Sequence, residues 1–141
     1  NDLTLRKAKI IIRKALEKGK ELDLKSLSVA VLDAGGHLIA FERSDGAARG
    51  RVAIAIGKAH GAVMLGMAGR AQMARAEQQA YFMQAVNGAF QGQVVPVPGG
   101  VLIRDARQNI VGAVGVTGDL SDNDEICAIA GVEATNLTAE P

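Results

Sequence analysis

Residues 101–118 read VLIRDARQNIVGAVGVTG, and Asp119-Leu-Ser-Asp-Asn-Asp124 follows at once. Leu102, Ile103, Ile110, Val111, Val114 and Val116 have the branched, apolar character of sheet residues. Asp105 to Asn109 supplies turn formers between the two runs. The stretch therefore reads as a hairpin leading into a helix. Gly112, Gly115 and Gly118 are the unusual part, because glycine inside or beside a strand costs stability. Such glycines mark a bulge or the close approach of another backbone or a ligand, so something is expected to lie tight against this strand.

A second hairpin is expected upstream. Ser28–Leu32 and Leu38–Phe41 are short β-type runs flanking Asp33-Ala-Gly-Gly36. Each hairpin has an apolar run, an aspartate (Asp33 or Asp105), a turn and another apolar run, a weak internal similarity. Around these strands the apolar period becomes helical. Leu3 to about Lys18 carries Leu5, Ala8, Ile11, Ile12, Ala15 and Leu16, with Gly19 placed to end the helix. A helix from about Arg49 to Met67 has Val52, Ile56, Ala59, Val63 and Met67 on one face, with Ile54, Lys58, Gly61 and Leu65 nearly opposite. Apolar on two sides, it is expected to be buried on two sides, against the sheet and a second layer or subunit. After a break at Gly69 the pattern resumes over Arg70–Val86 and stops at Asn87-Gly88. Gln91–Gly100 is expected to be a loop or edge strand, since Pro96 and Pro98 bar a central ladder position. Ser121 reads as the N-cap of a last helix, with Asp124 completing a capping box and the helix running to the C-terminus. The order α–β–β–α–α–β–β–β–α is an α+β domain with a mainly antiparallel sheet, one domain over residues 1–141.

Composition removes several function classes. The formal charge is +1 and no Lys/Arg run tracks phosphates, while aromatic content is 3%. Nucleic acid is thus not an expected partner. No apolar run reaches the roughly 20 residues that span a bilayer. The chain begins Asn-Asp without Met, and a cytoplasmic location is the default. Cys127 is expected to be a buried, inert thiol. With two histidines there is no multi-histidine metal site. No Ser-His-Asp order, CxxC, Walker loop or GxGxxG after a strand occurs.

The residues left to carry chemistry are few. His60 lies at the edge of an apolar helix face with Met64 and Met67 near it by spacing; a neutral imidazole there suits an axial haem ligand, or else is satisfied by a backbone carbonyl or an oligomer contact. His37, after the Gly-Gly turn, is expected near the surface. Glycine N–H groups before the Ser121 helix could receive a carboxylate or propionate, with Arg43 and Lys58 the cations best placed to pair with it. Tyr81, Phe82 and the methionines read first as core, second as pocket lining.

Val31-Leu-Asp-Ala-Gly-Gly-His-Leu38, Arg43-Ser-Asp-Gly-Ala47, Lys58-Ala59, Pro98-Gly-Gly100 and Gly112-Ala-Val-Gly-Val-Thr-Gly118 with Asp124 together resemble the GlcG/HbpS family, which includes the C-terminal domain of some PduO-type corrinoid adenosyltransferases. The similarity spans nearly the whole chain. It implies a five-stranded antiparallel sheet with helices packed around it, profilin-like in layout. It also implies a homo-oligomer and, for several members, binding of haem. Gly61 stands where the family commonly has Thr in a Lys-Ala-x-Thr stretch, and His60 occupies its variable position. The leading expectation is a small-ligand-binding protein, haem or a related tetrapyrrole being the ligand, through His60, Met64, Arg43, Lys58, Gly99, Gly100 and Ser121. The alternatives are an enzyme acting on a small organic acid or aromatic compound, with Lys58 or His60 as acid/base, and a non-catalytic assembly module.

Overall fold

A computed structural model describes residues 2–141. Its elements in chain order are α1 (Leu5–Glu21), β1 (Ser28–Asp33), β2 (Leu38–Arg43), α2 (Arg51–Leu65), α3 (Gly69–Gln78), α4 (Ala80–Ala89), β3 (Gly100–Arg104), β4 (Ile110–Thr117), α5 (Ser121–Glu133) and β5 (Thr138–Glu140). The five strands form one sheet in the order β2-β1-β4-β3-β5, with every neighbouring pair antiparallel. Residues 101–118 supply β4 and all but the first residue of β3, and β4 is the central strand.

Alternation along the strands divides the core in two. Val29, Val31, Val101, Ile103, Val114 and Val116 face α1 and α5, which contribute Ala8, Ile11, Ile12, Ala15, Cys127, Ala128 and Val132. Ala30, Leu32, Leu102 and Ala113 face α2, which contributes Ala55, Ala59 and Ala62. Small residues on that second face bring helix and sheet into backbone contact. A Cβ added to Gly115 would stand 2.0 Å from the Ala55 carbonyl oxygen. What Gly115 admits is therefore α2, whereas a Cβ on Gly112 would meet the Leu32 carbonyl of β1 and the Leu3 side chain.

The two hairpins share one turn. The Asp33 Oδ1 accepts the N–H groups of Gly35 and His37, both at 2.9 Å. The Asp105 Oδ1 accepts those of Arg107 and Asn109, again both at 2.9 Å. The internal similarity is thus a repeated side-chain-to-backbone device. Gly36 takes the positive φ in one copy and Gln108 in the other, at 84° and 67°.

Five boundaries differ from expectation. α1 passes through Gly19, which is buried inside the helix against Leu27, and ends at Leu22, whose N–H reaches the Lys18 carbonyl. α2 ends at left-handed Gly66, and Gly69 opens α3. Arg70–Val86 is two helices, broken at Gln79, and α4 continues through Asn87-Gly88 to Ala89. The last helix stops at Glu133 and the chain returns as β5 against β3. Gln91 to Pro98 is loop, so the fifth strand is the C-terminal one.

α2 is covered on both sides within the chain. The sheet lies on one side; on the other, Gly57 meets Val95 and Gly61 meets Gln72 and Val94. Among the described residues no single helix is long and apolar enough to cross a membrane.

Candidate functional site

The residues singled out from the sequence fall into three places. The first is the outer side of α2. His60 Nδ1 lies 3.0 Å from the Gln93 carbonyl oxygen. A carbonyl only accepts, so Nδ1 is the donor, and in the neutral ring the lone pair falls to Nε2. Phe90 meets the imidazole edge-on, with ring centroids 6.2 Å apart. One turn on, Met64 sits beside His60 over the turn between β1 and β2. A Cβ on Gly36 would be 2.9 Å from Met64 Cε and 3.0 Å from His60 Cδ2. Among the described residues Nε2 makes no hydrogen bond to the chain. The donor set is thus an oriented imidazole and a thioether beside an aromatic ring. It fits the axial side of a haem. No group of three His, Cys, Asp or Glu is placed to hold a bare metal ion among the described residues.

The second place is the inner side of α2. Lys58 Nζ donates to the Val116 carbonyl at 2.9 Å and to Asp124 Oδ2 at 3.2 Å. Their side chains are 2% and 1% exposed. Burial is the larger influence on both, lowering the Lys58 pKa and raising that of Asp124, while each partner opposes the other's shift. Gly99 and Gly100 cover the lysine: a Cβ on Gly99 would be 2.7 Å from Nζ, and one on Gly100 would be 2.4 Å from the Lys58 carbonyl oxygen. Gly99 holds φ +119°, a conformation open to glycine, and its carbonyl accepts the Val116 N–H.

Ser121 stands close by in sequence, but as the first residue of α5. The N-cap position belongs to Leu120, which makes no side-chain cap bond. Capping falls instead to Asp119, whose Oδ1 accepts from the Leu120 N–H and the Asn123 amide, while Asp124 Oδ1 accepts the Asp119 N–H. The expected Ser121–Asp124 box is therefore shifted toward the N-terminus. This helix end carries its own carboxylates, and Arg70 of α3 binds two more, Asp122 at 2.6 Å and Glu125 at 3.0 and 3.1 Å.

The third place holds Arg43, at the end of β2 remote from the Gly36 turn. It lines a groove of about 410 Å³ with Lys20, Lys25, Glu42 and Asp45. Arg43 and Lys58 are thus not brought together. His37 is exposed on the turn, with Nδ1 3.4 Å from Asp33 Oδ1. Cys127 is sealed in the α1–α5 core, its thiol pushed up to about 11 chiefly by burial. Sequence reasoning missed Gln93 and Phe90 as partners of His60. Gln93 acts through its backbone, which no side-chain pattern reveals; Phe90, in the same loop, was visible only as an isolated aromatic.

A five-stranded antiparallel sheet with α1 and α5 on one face and a glycine-seated α2 on the other defines an open-sheet α+β domain. The chain belongs to the HbpS-like family, described as haem degrading protein HbpS-like, whose model matches residues 3–133. Solved structures agree in fold. PduOC in complex with heme is similar at TM-score 0.87 and 22% identity, over 100% of both chains. The Klebsiella pneumoniae protein ORFY is similar at 0.81 and 24%, over 93% of this chain and 88% of that one. HbpS is similar at 0.79 and 29%, over 95% and 90% respectively. No curated protein matches the chain.

Proposed function

We propose that the protein binds haem or a related tetrapyrrole, with His60 Nε2 as the axial ligand and Met64 and Phe90 beside the macrocycle. The observation that carries the reading is the Gln93 carbonyl on His60 Nδ1, which fixes the ring and directs its lone pair to the other nitrogen. The family description and the likeness to PduOC in its heme complex support it. When bound, the iron supplies the redox chemistry; the chain supplies a fixed imidazole, a thioether and apolar walls. On this reading Lys58, Gly99 and Gly100 hold α2 at the height from which His60 projects. Arg43 and Ser121 lie apart from this site, Arg43 in the groove at the far end of β2 and Ser121 at the start of α5. Acid–base catalysis by Lys58 finds no support in the geometry, since both contacts of its Nζ are internal and the group is sealed. The test is a hemin titration followed by absorption, on the wild type and on His60→Ala, with saturable binding and a band altered by the substitution as the expected result.

A further inference from the structure

The start of α2 gathers positive charge. Arg49 and Arg51 flank the Gly50 cap, no side chain caps this end, and its first turn holds no acid. No carboxylate occurs between Asp45 and Glu77 in the sequence. None of Arg43, Arg49 and Arg51 makes an ion pair among the described residues. Asp45 is exposed, and its backbone carbonyl is the group engaged, by Ser26 Oγ. Beneath this end lies Ser28, the first residue of β1. Alternation puts it on the α2 face of the sheet, with Ala30 and Leu32. Its register partners are Thr117 on β4 and Arg43 on β2. Arg51 reaches down to the same place, donating from Nη1 to Thr117 Oγ1 at 2.9 Å. Ser28 is fully buried, and its Oγ makes no hydrogen bond among the described residues.

A buried hydroxyl without a partner costs free energy, and so do cations at the positive end of a helix dipole. An anion relieves both. We propose that the start of α2 is a binding site for a phosphate group, free or at the end of a small ester. Arg51, the exposed Arg43 and Arg49, the first N–H groups of α2 and the Ser28 hydroxyl would hold it. N–H groups at a helix start point toward such a ligand, and guanidinium groups match its oxygens in pairs. A guanidinium has five donors, so Arg51 can keep Thr117 and still take the anion. A carboxylate brings one charge and two oxygens. The three arginines, with N–H and O–H donors beside them, suit the higher charge and the further oxygens of a phosphate. This site is separate from that of His60. Nine residues from Arg51 to His60 are about two and a half turns, so the two side chains leave α2 on opposite sides.

Calorimetric titration of the full chain with inorganic phosphate and with methyl phosphate tests this, with acetate as the carboxylate comparison. The wild type is expected to bind phosphate saturably, one per chain, and acetate about tenfold more weakly. Arg51→Gln and Ser28→Ala are each expected to weaken phosphate binding about tenfold, since each removes a hydrogen bond to a charged group. Arg107→Gln, exposed on the turn at the other end of β4, is expected to leave it unchanged. Ser28→Ala breaks no hydrogen bond of the chain, so it should keep the wild-type melt, and the test stands should Arg51→Gln fail to fold. Methyl phosphate bound as tightly as the free ion assigns the site to an ester, and its exclusion assigns the site to free phosphate; both support the proposal. Absence of saturable phosphate binding, acetate bound as tightly, an equal loss in Arg107→Gln, or unchanged affinity in Ser28→Ala overturns it.

Discussion

Lys58 Nζ and Asp124 Oδ2 meet at 3.2 Å although 66 residues separate them in the chain. The pair joins the middle of α2 to the first turn of α5, and Lys58 also donates to the Val116 carbonyl at the end of the central strand. Three elements thereby meet at one sealed ionic contact.

Removing one member strands a buried charge. Lys58→Met and Asp124→Asn should each cost about 3–5 kcal/mol in chemical denaturation. The double replacement Lys58→Met with Asp124→Leu should recover much of that loss, because two apolar side chains can fill the same space. Single variants within about 1 kcal/mol of wild type would show that the pair holds nothing together.

Gly115 makes a second, steric demand. In Gly115→Ala the new methyl would overlap the Ala55 carbonyl, a backbone atom that cannot rotate away. The variant should lose about 3 kcal/mol, the upper part of the range for overpacking. Gly88→Ala, where a Cβ meets nothing within 4 Å, should be neutral or slightly stabilising, since Gly88 lies in α4. Equal melting temperatures for the two variants would contradict this account of the sheet glycines.

Asp119 sets part of the acid limb. The Asn123 amide, with the Lys25 and Leu120 N–H groups, holds its carboxyl down to about 2 from 3.8. The unfolded chain then binds the extra proton first, so this contribution is complete above pH 4 and is lost as pH falls toward 2. Asp119→Asn should flatten the fall of melting temperature between pH 4 and pH 2. An unchanged slope would show that Asp119 carries no acid sensitivity.

Both hairpins and the helical periods of α1 and α2 were legible because strand alternation and helical spacing are local properties. β5 was not: Thr138-Ala-Glu140 has no strand pattern and is held by its register on β3 and by the Arg104–Glu140 ion pair. The break at Gln79 has no glycine or proline to announce it. Arg75 holds that corner, donating to Gln79 Oε1 at 2.6 Å and stacking 4.2 Å over Phe82. Gly19 misled because glycine both ends helices and admits a neighbour, here Leu27. At the site, His60 and Met64 were readable as neighbours by i,i+4 spacing. The Gln93 carbonyl and the approach of Gly36 come from chain packing, as does the Lys58–Asp124 contact.

The most direct test of the central claim is hemin titration of the apoprotein, read by absorption, with His60→Ala alongside. The account predicts saturable binding by the wild type and a displaced or weakened band in the variant. Absence of saturable binding would contradict haem as the ligand, and binding with an identical band in His60→Ala would contradict His60 as its axial donor.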